Sequence, residues 1–259
     1  EVVLKFLDLK PPVNKPYFDG LAPLVVVFQL DHLTVKVVEK LLALGASPTP
    51  TIKYGEEEGS LLFDAMQRSN KYEKLLPLLK YRQPVYHADP RKSPFHYALG
   101  KRLPRNICEA LARQCPIDVA DENGKSPLEV ALDHNQIEVV RVLIERGADV
   151  LKKDAKGQQL VFRCLNHTAL QQALLASHPH LATTVFADGT TLLYRSATHP
   201  TRINFVSYLL ELGAAPEQVV PKIGKSCLEL IKSLNTPGLD PVRRLFEQNL
   251  QTKGLAHAH

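Results

Sequence analysis

The sequence has no tryptophan, a single methionine and only 7% aromatic residues among its 259 positions. It also lacks an apolar run long enough to cross a bilayer, because the longest one, residues 21–30, is broken by Pro23 and Gln29. The first ten residues have neither the basic segment nor the small-residue cleavage site of a signal peptide. We therefore expect no membrane span, no secretory leader and an intracellular, cytoplasmic protein.

Motifs that carry chemistry are also missing. No GxxxxGK[ST] or GxGxxG loop follows a predicted strand, and His178 and His180, on either side of Pro179, are the pair that most suggests metal ligands. The four cysteines form no CxxC pair, so we expect reduced, buried thiols: Cys108, Cys115, Cys164 and Cys227. The sequence therefore predicts no cofactor, no metal site, no small-molecule substrate and no catalysis by this chain.

Neither sign of charge dominates. The 32 basic and 27 acidic residues leave a net charge of +5, which favours acidic partners slightly. The basic residues are not interleaved with aromatic side chains, as they are in surfaces that stack bases. Nucleic acid is therefore disfavoured as a partner.

What the sequence does contain is a helix–turn–helix unit, seen most clearly in residues 121–150. Ser126 is a good helix N-cap, and Pro127 suits the first helical position, where a missing N–H costs nothing. A second helix follows with a stripe of apolar residues. Gly147 is placed to end that helix in the left-handed conformation.

The same unit recurs along the chain. The small or apolar residue at the centre of each first helix repeats every 32 to 38 residues: Val27, Ala65, Ala98, Ala131, Cys164, Ser196 and Ile231. Gly-Ala endings recur after the second helices at 45–46, 147–148 and 213–214, and turn glycines recur before the first helices. A fixed period with shared caps indicates a repeat architecture.

The unit resembles the ankyrin repeat, most closely at SPFHYA, residues 93–98, which is similar to the family's T-P-L-H-x-A start. The resemblance implies an all-α ankyrin-repeat solenoid of stacked helix–turn–helix units with hairpin-like fingers. His96 would then be structural. We predict one domain over residues 1–259, with a partial repeat at 1–16, a tail at 251–259 and seven divergent repeats at about 19–50, 55–88, 89–120, 121–153, 154–186, 187–220 and 221–250.

Three features of the sequence depart from the pattern. Pro77 falls inside the second helix of repeat two, where we expect a kink. The finger before that repeat is extended around residues 51–60 and is acidic at Glu56, Glu57 and Glu58. Repeat seven has an insertion, after which Asp240 and Pro241 are expected to restart the second helix.

The resemblance implies a protein–protein interaction module that binds a partner protein or an extended peptide in a concave groove. Three residues past each central position, five consecutive repeats carry a basic or protonatable side chain: Arg68, Lys101, His134, His167 and His199. Arg102 widens this row, and Lys152 and Lys153 make one finger basic. We predict that these residues bind an acidic segment more tightly below about pH 6.5, as histidines gain charge. The alternative is that they only complement the dipoles of the helices they end.

The sequence alone is also compatible with other functions. The chain begins with Glu1 inside the partial repeat, as expected of a piece of a longer protein. The array could then be the substrate-targeting domain of an enzyme whose catalytic domain lies outside it, or a structural element that packs on its parent chain. The divergent repeats are compatible with a scaffold, in the cytoplasm or nucleus, or with a bacterial effector acting in the host cytoplasm.

Overall fold

The structure is a computed structural model, which describes residues 1–16, 20–30, 32–54, 57–68, 72–81, 93–221, 223–234 and 236–256. The chain divides into two compact units, which we call unit 1 (Glu1–Asp149) and unit 2 (Val150–His259). The single domain predicted for residues 1–259 and the predicted repeat boundaries stay predictions.

Unit 1 consists of short helices and one β-hairpin. Its described residues form α1 (Val2–Asp8), α2 (Pro23–Gln29), α3 (Val35–Ala43), β1 (Thr51–Tyr54), β2 (Glu57–Ser60), α4 (Leu61–Arg68), α5 (Leu75–Leu79), α6 (Pro94–Gly100), α7 (Arg105–Gln114), α8 (Pro127–Asp133) and α9 (Ile137–Glu145).

The helices of unit 1 lie in two layers. In the first-helix layer, α2, α4, α6 and α8 contact one another in chain order. In the second-helix layer, α1, α3, α5, α7 and α9 do the same. Each helix of the first layer also contacts the helix that follows it in the chain. This is the predicted stack of helix–turn–helix units, and each unit buries its apolar face against its neighbours.

The clearest unit, α8 and α9, forms as its sequence predicts. The Ser126 hydroxyl accepts a hydrogen bond from the Glu129 amide, and Pro127 occupies the first turn of α8. The apolar stripe of α9 is buried; Val140 and Leu143 are fully inaccessible. Gly147 ends α9 with φ of 84°. Local capping and apolar spacing therefore account for this unit.

The structure agrees with two of the three predicted departures from the repeat pattern. The prediction for the third, at Pro77, was wrong. The extended finger is the antiparallel hairpin β1–β2, in which Thr51 pairs with Ser60; Glu56 lies outside the described residues. The insertion in repeat seven ends in a 3-10 turn, and the next helix begins at Asp240 as expected. Pro77 does not kink a helix interior. A 3-10 turn at Tyr72–Lys74 precedes α5, so Pro77 lies in the first turn of a new helix, where its missing N–H costs little.

Unit 2 continues the same helix pairing. Its described residues form α10 (Leu160–Cys164), α11 (Thr168–Ser177), α12 (Leu192–Ala197), α13 (Ile203–Glu211), β3 (Val219–Val220), β4 (Lys225–Ser226), α14 (Cys227–Ser233) and α15 (Asp240–Ala256). The pairs are α10 with α11, α12 with α13, and α14 with α15, and α13 contacts both α11 and α15. The Ser226 and Glu229 side chains form a complete capping box at the start of α14.

Side chains of one repeat cap helices of the preceding repeat. The buried Lys74 ammonium donates to the carbonyl of Leu30, which ends α2, at 2.8 Å. The Arg146 guanidinium donates to the carbonyl of Cys115, which ends α7, at 2.8 Å. These carbonyls have no partner inside their own helix. The stack therefore supplies hydrogen bonds that an isolated repeat lacks.

The left-handed end of α9 gives a test of this fold. An alanine at Gly147 meets no neighbouring atom within 4 Å, so its cost is conformational only. We expect Gly147→Ala to lower the free energy of unfolding by about 1 kcal/mol. Gly100, in the last turn of α6, also has open space around it but no positive φ. Gly100→Ala should raise the free energy of unfolding by about 0.5–1 kcal/mol. Urea unfolding of both variants measures this, and a Gly147→Ala variant as stable as the parent would contradict it.

Candidate interaction surface

Four of the predicted contact residues lie in unit 1, at the ends of first-layer helices. Arg68 is the last residue of α4, and Lys101 is the C-cap of α6. Arg102 follows it, and His134 is the C-cap of α8. The sequence placed these side chains correctly with respect to their helices, but their surroundings differ.

Arg68 is engaged within its own helix. Its Nε donates to the Asp64 carboxylate at 2.5 Å, and Asp64 is only 6% exposed. A buried carboxylate is costly unless it is paired. Arg68 therefore has a structural role in neutralising Asp64, which the sequence did not reveal.

Lys101 is exposed and lies beside aromatic rings. Its Nζ is 6.0 Å from the centre of the Tyr97 ring, at the outer limit of a cation–π contact. The Tyr97 ring meets the Phe63 ring edge to face, with 5.4 Å between their centres. Both rings are half-buried. Among the described residues, Lys101 has no carboxylate within ion-pair distance.

Arg102 and His134 are brought together across neighbouring repeats. The Arg102 Nε donates to the His134 Nδ1 at 3.4 Å. The contact links the turn after α6 to the turn after α8. The predicted gain of affinity in acid stays a prediction.

The backbone of Arg102 is strained. Its φ of 52° lies in the left-handed region, as does the φ of 56° at Asn135, which occupies the same place in the next repeat. In both turns the following amide donates to the carbonyl five residues before it: Leu103 to Ala98 at 3.0 Å, and Gln136 to Ala131 at 2.9 Å. Asparagine tolerates this conformation, whereas other L-residues pay roughly 1–2 kcal/mol. The sequence analysis placed Arg102 in the row but missed this strain.

A cavity of about 290 Å³ lies between these two turns. Its lining includes Arg102, Arg105 and Glu138, together with the apolar side chains of Leu103 and Val139. Arg105 is already paired, with the Glu138 carboxylate at 3.3 Å and with its own helix neighbour at 2.6 Å. Arg102 is therefore the cation of this cavity that has no carboxylate partner among the described residues.

The predicted histidines of unit 2 are placed differently from the expectation. The helices α10 and α12 end at Cys164 and Ala197, so His167 and His199 lie beyond them, in the turns between helices. His167 is the N-cap of α11. Burial, and then the charge of Arg202, lowers the pKa of His199. This histidine consequently gains its proton at lower pH than an unperturbed one.

The lysines of unit 2 lie on a finger. Lys153 is exposed and forms an isolated bridge with Gln159, and the Lys152 carbonyl accepts from the Leu160 amide at 3.0 Å. The single row from Arg68 to His199 includes residues of both units, and its continuity stays a prediction.

The candidates for catalysis or metal binding were three histidines, His96, His178 and His180. The His96 Nε2 lies 3.2 Å from the Lys125 carbonyl in the next finger, which confirms the structural role predicted for it. The rings of His178 and His180 are 6.0 Å apart. Within the described parts of the chain, no group of three or more His, Cys, Asp or Glu could hold a metal ion, and no helix is long and apolar enough to span a membrane.

A family model described as ankyrin repeats, in three copies, matches residues 62–154. Residues 62–154 therefore belong to the ankyrin repeat family. Ankyrin repeats are generally protein–protein interaction modules and are typically not catalytic. The matched range includes six of the residues predicted to contact a partner: four at the ends of α4, α6 and α8, and the finger residues Lys152 and Lys153.

Curated relatives share parts of this ankyrin array. A fem-1 homolog A-like protein from Mus musculus is 31% identical over 117 residues, which cover 43% of this chain and 17% of the relative. An ankyrin repeat-containing protein from Schizosaccharomyces pombe is 34% identical over 47 residues, which cover 18% of this chain and 23% of the relative. The chain thus spans less than a quarter of the length of either.

Two solved structures are similar to the array. An ankyrin repeat domain from Acinetobacter baumannii AYE shares 24% identity, covering 60% of this chain and 80% of that one, with a TM-score of 0.49. A chain from the complex of a predatory endopeptidase of Bdellovibrio bacteriovorus with an immunity protein shares 18% identity, covering 76% of this chain and 99% of that one, with a TM-score of 0.49.

The four thiols of the array give a test of its packing. All are buried, and burial raises the pKa of each to about 12: Cys108, Cys115, Cys164 and Cys227. The thiolate is the reactive form. We expect iodoacetamide at pH 7.4 to leave all four unmodified in the folded chain and to alkylate all four in guanidinium chloride. Mass spectrometry after a fixed time compares the two, and rapid alkylation of a cysteine in the folded chain would show that its helix is not packed as described.

Proposed function

We propose that this ankyrin array holds a partner protein through an acidic segment, and that the contact surface in unit 1 is the turn end of its first-helix layer. The observation that carries the proposal is the pair of adjacent cations at the end of α6. Lys101 and Arg102 are both exposed, and neither has a carboxylate partner among the described residues. Their charge is therefore available to an acidic ligand.

The second-helix layer of unit 1 has a different electrostatic character. Ion pairs join its neighbouring helices, and in each pair a basic and an acidic side chain neutralise each other. They are Lys40–Asp8 at 2.9 Å, Lys80–Glu39 at 3.9 Å and Arg105–Glu138 at 3.3 Å. Exposed pairs of this kind add little stability, but they leave less net charge to attract a ligand. This contrast favours the first-helix layer as the contact surface.

The aromatic pair beside Lys101 supports the same surface. Phe63 and Tyr97 are half-buried, their rings meet edge to face, and the ammonium lies over the Tyr97 ring. Protein–protein interfaces are enriched in aromatic residues. A partner with an acidic residue close to an apolar one would match this arrangement.

We infer further candidate contacts in unit 2 from its cations. Lys152 and Lys153 belong to an exposed finger, and His167 and His199 lie in turns between helices. The raised pKa values of the four buried thiols are those of unreactive side chains, which supports a binding role rather than a catalytic one for this chain. Free cysteines also suit the reducing cytoplasm.

A selection from a phage-displayed library of random peptides tests the proposal. The full chain should enrich peptides rich in Asp and Glu, and their binding should weaken as salt is added. The double variant Lys101→Glu with Arg102→Glu should lose this enrichment, because its surface repels acidic peptides.

The matched control changes the same charge elsewhere. Lys5 and Lys36 are exposed lysines of α1 and α3, in the second-helix layer. The double variant Lys5→Glu with Lys36→Glu should keep the enrichment of the parent. Selection without acidic enrichment by the parent chain, or equal loss in both double variants, would contradict the proposal.

A further inference from the structure

We propose that Arg102 is a carboxylate anchor, a residue that fixes one Asp or Glu side chain of the partner at the turn between α6 and α7. This inference rests on the proposed function and names the residue and the ligand group on which it depends. It is carried by the conformation of Arg102, by the donors that its guanidinium leaves available and by the cavity beside it.

The backbone shows that arginine is a poor choice for folding at this position. The turns at Arg102 and Asn135 are equivalent, with φ of 52° and 56° and the same pattern of backbone hydrogen bonds. Asparagine adopts this left-handed conformation readily, and arginine does not. A strained residue persists where the structure gains something else from its side chain.

Contacts with the described residues do not supply that gain. The Arg102 side chain is exposed, and the one hydrogen bond that it makes to a described side chain is to the His134 Nδ1 at 3.4 Å, which is long for a nitrogen donor. The nearby carboxylates are committed elsewhere: Glu138 lies 3.3 Å from Arg105 and 3.0 Å from Arg141. Folding therefore gives no strong reason for an arginine here.

The geometry suits a carboxylate ligand. Nε faces His134, and the two terminal nitrogens of the guanidinium donate to none of the described residues, so a carboxylate can accept from both nitrogens at once. The cavity of about 290 Å³ beside Arg102 is large enough for a side chain. Its apolar lining at Leu103 and Val139 would hold the methylene carbons of that side chain or an apolar neighbour.

Charged and protonatable side chains lie on both sides of the cavity. Lys101 and His134 add positive or protonatable groups next to Arg102, whereas Glu138 places a carboxylate on the far wall. Since Glu138 already neutralises Arg105, the cavity keeps its positive end at Arg102. A ligand carboxylate is thus directed to one residue.

The decisive variant is Arg102→Asn, which introduces the residue that the next repeat already uses. We expect its melting temperature to rise by about 2–4 °C, because the strain is relieved. Its affinity for an acidic peptide from the library selection should fall about tenfold to a hundredfold, because a paired, charge-assisted contact is lost. Arg102→Lys keeps the charge without the fork of donors and should bind with intermediate affinity.

A double-mutant cycle separates the anchor from general attraction. Each Asp or Glu of the peptide is changed in turn to Asn or Gln. One of these changes should weaken binding to the parent chain and leave binding to Arg102→Asn unaltered. Asn135→Gly is the matched control at the equivalent turn, and it should bind the parent peptide normally.

Each outcome bears on a different claim. If acidic peptides bind the parent chain and Arg102→Asn binds them equally well, the anchor is wrong and the proposed function stands. If Arg102→Asn unfolds more easily than the parent, the arginine has a structural role and the anchor is also wrong. If no acidic peptide binds the parent chain, the proposed function fails, and the anchor fails with it.

Discussion

Short helices leave a large share of their backbone carbonyls without partners, and the way these carbonyls are satisfied determines how this chain is built. The last carbonyls of a helix have no amide to accept from within it. In this array, side chains of the next repeat donate to them. Lys74 reaches the end of α2, and the Gln136 Nε2 reaches the Leu99 carbonyl in α6 at 3.1 Å. A repeat that leaves its neighbour exposes those carbonyls as well as apolar surface, so stacking and capping stabilise the same interface.

The same constraint places the candidate contact surface. A helix that must end abruptly does so through a residue in the left-handed conformation, whose amide closes the last turn. Glycine does this after α3, α9 and α13, at Gly45, Gly147 and Gly213. After α6 and α8 the residue is Arg102 or Asn135, so a side chain projects from the turn. The fold thus presents side chains at the points where it needs an unusual backbone, and the helices themselves stay occupied with packing.

The sequence predicted most of the fold because its signals are local. Ser126 identifies the start and Gly147 the end of one helix pair, and the recurrence of such capping residues along the chain gives the period. Local signals failed at Pro77, since a 3-10 turn that restarts a helix has no clear sequence mark. They also failed for the lengths of α10 and α12, which end before the expected positions of His167 and His199.

The candidate site was less predictable, because it depends on pairings between distant side chains and on burial. The engagement of Arg68 follows from the burial of Asp64, which only the packed helices determine. The equivalence of the Arg102 and Asn135 turns was nevertheless accessible, since Arg102 lies 33 positions before Asn135 in a chain with that period. Comparing turns by their position in the repeat, rather than by residue type, would have shown the strained arginine.

The central claim is that the turn end of the first-helix layer in unit 1 receives the acidic ligand. Its most direct test is a titration of the isotope-labelled full chain with one selected acidic peptide, followed by amide chemical shifts in NMR spectra. The account predicts that the largest shifts fall on residues 97–105 and 131–138, with little change at the exposed positions of α7 and α9. Shifts concentrated on Glu109, Arg113, Arg141 and Glu145, with the turns unaffected, would contradict it.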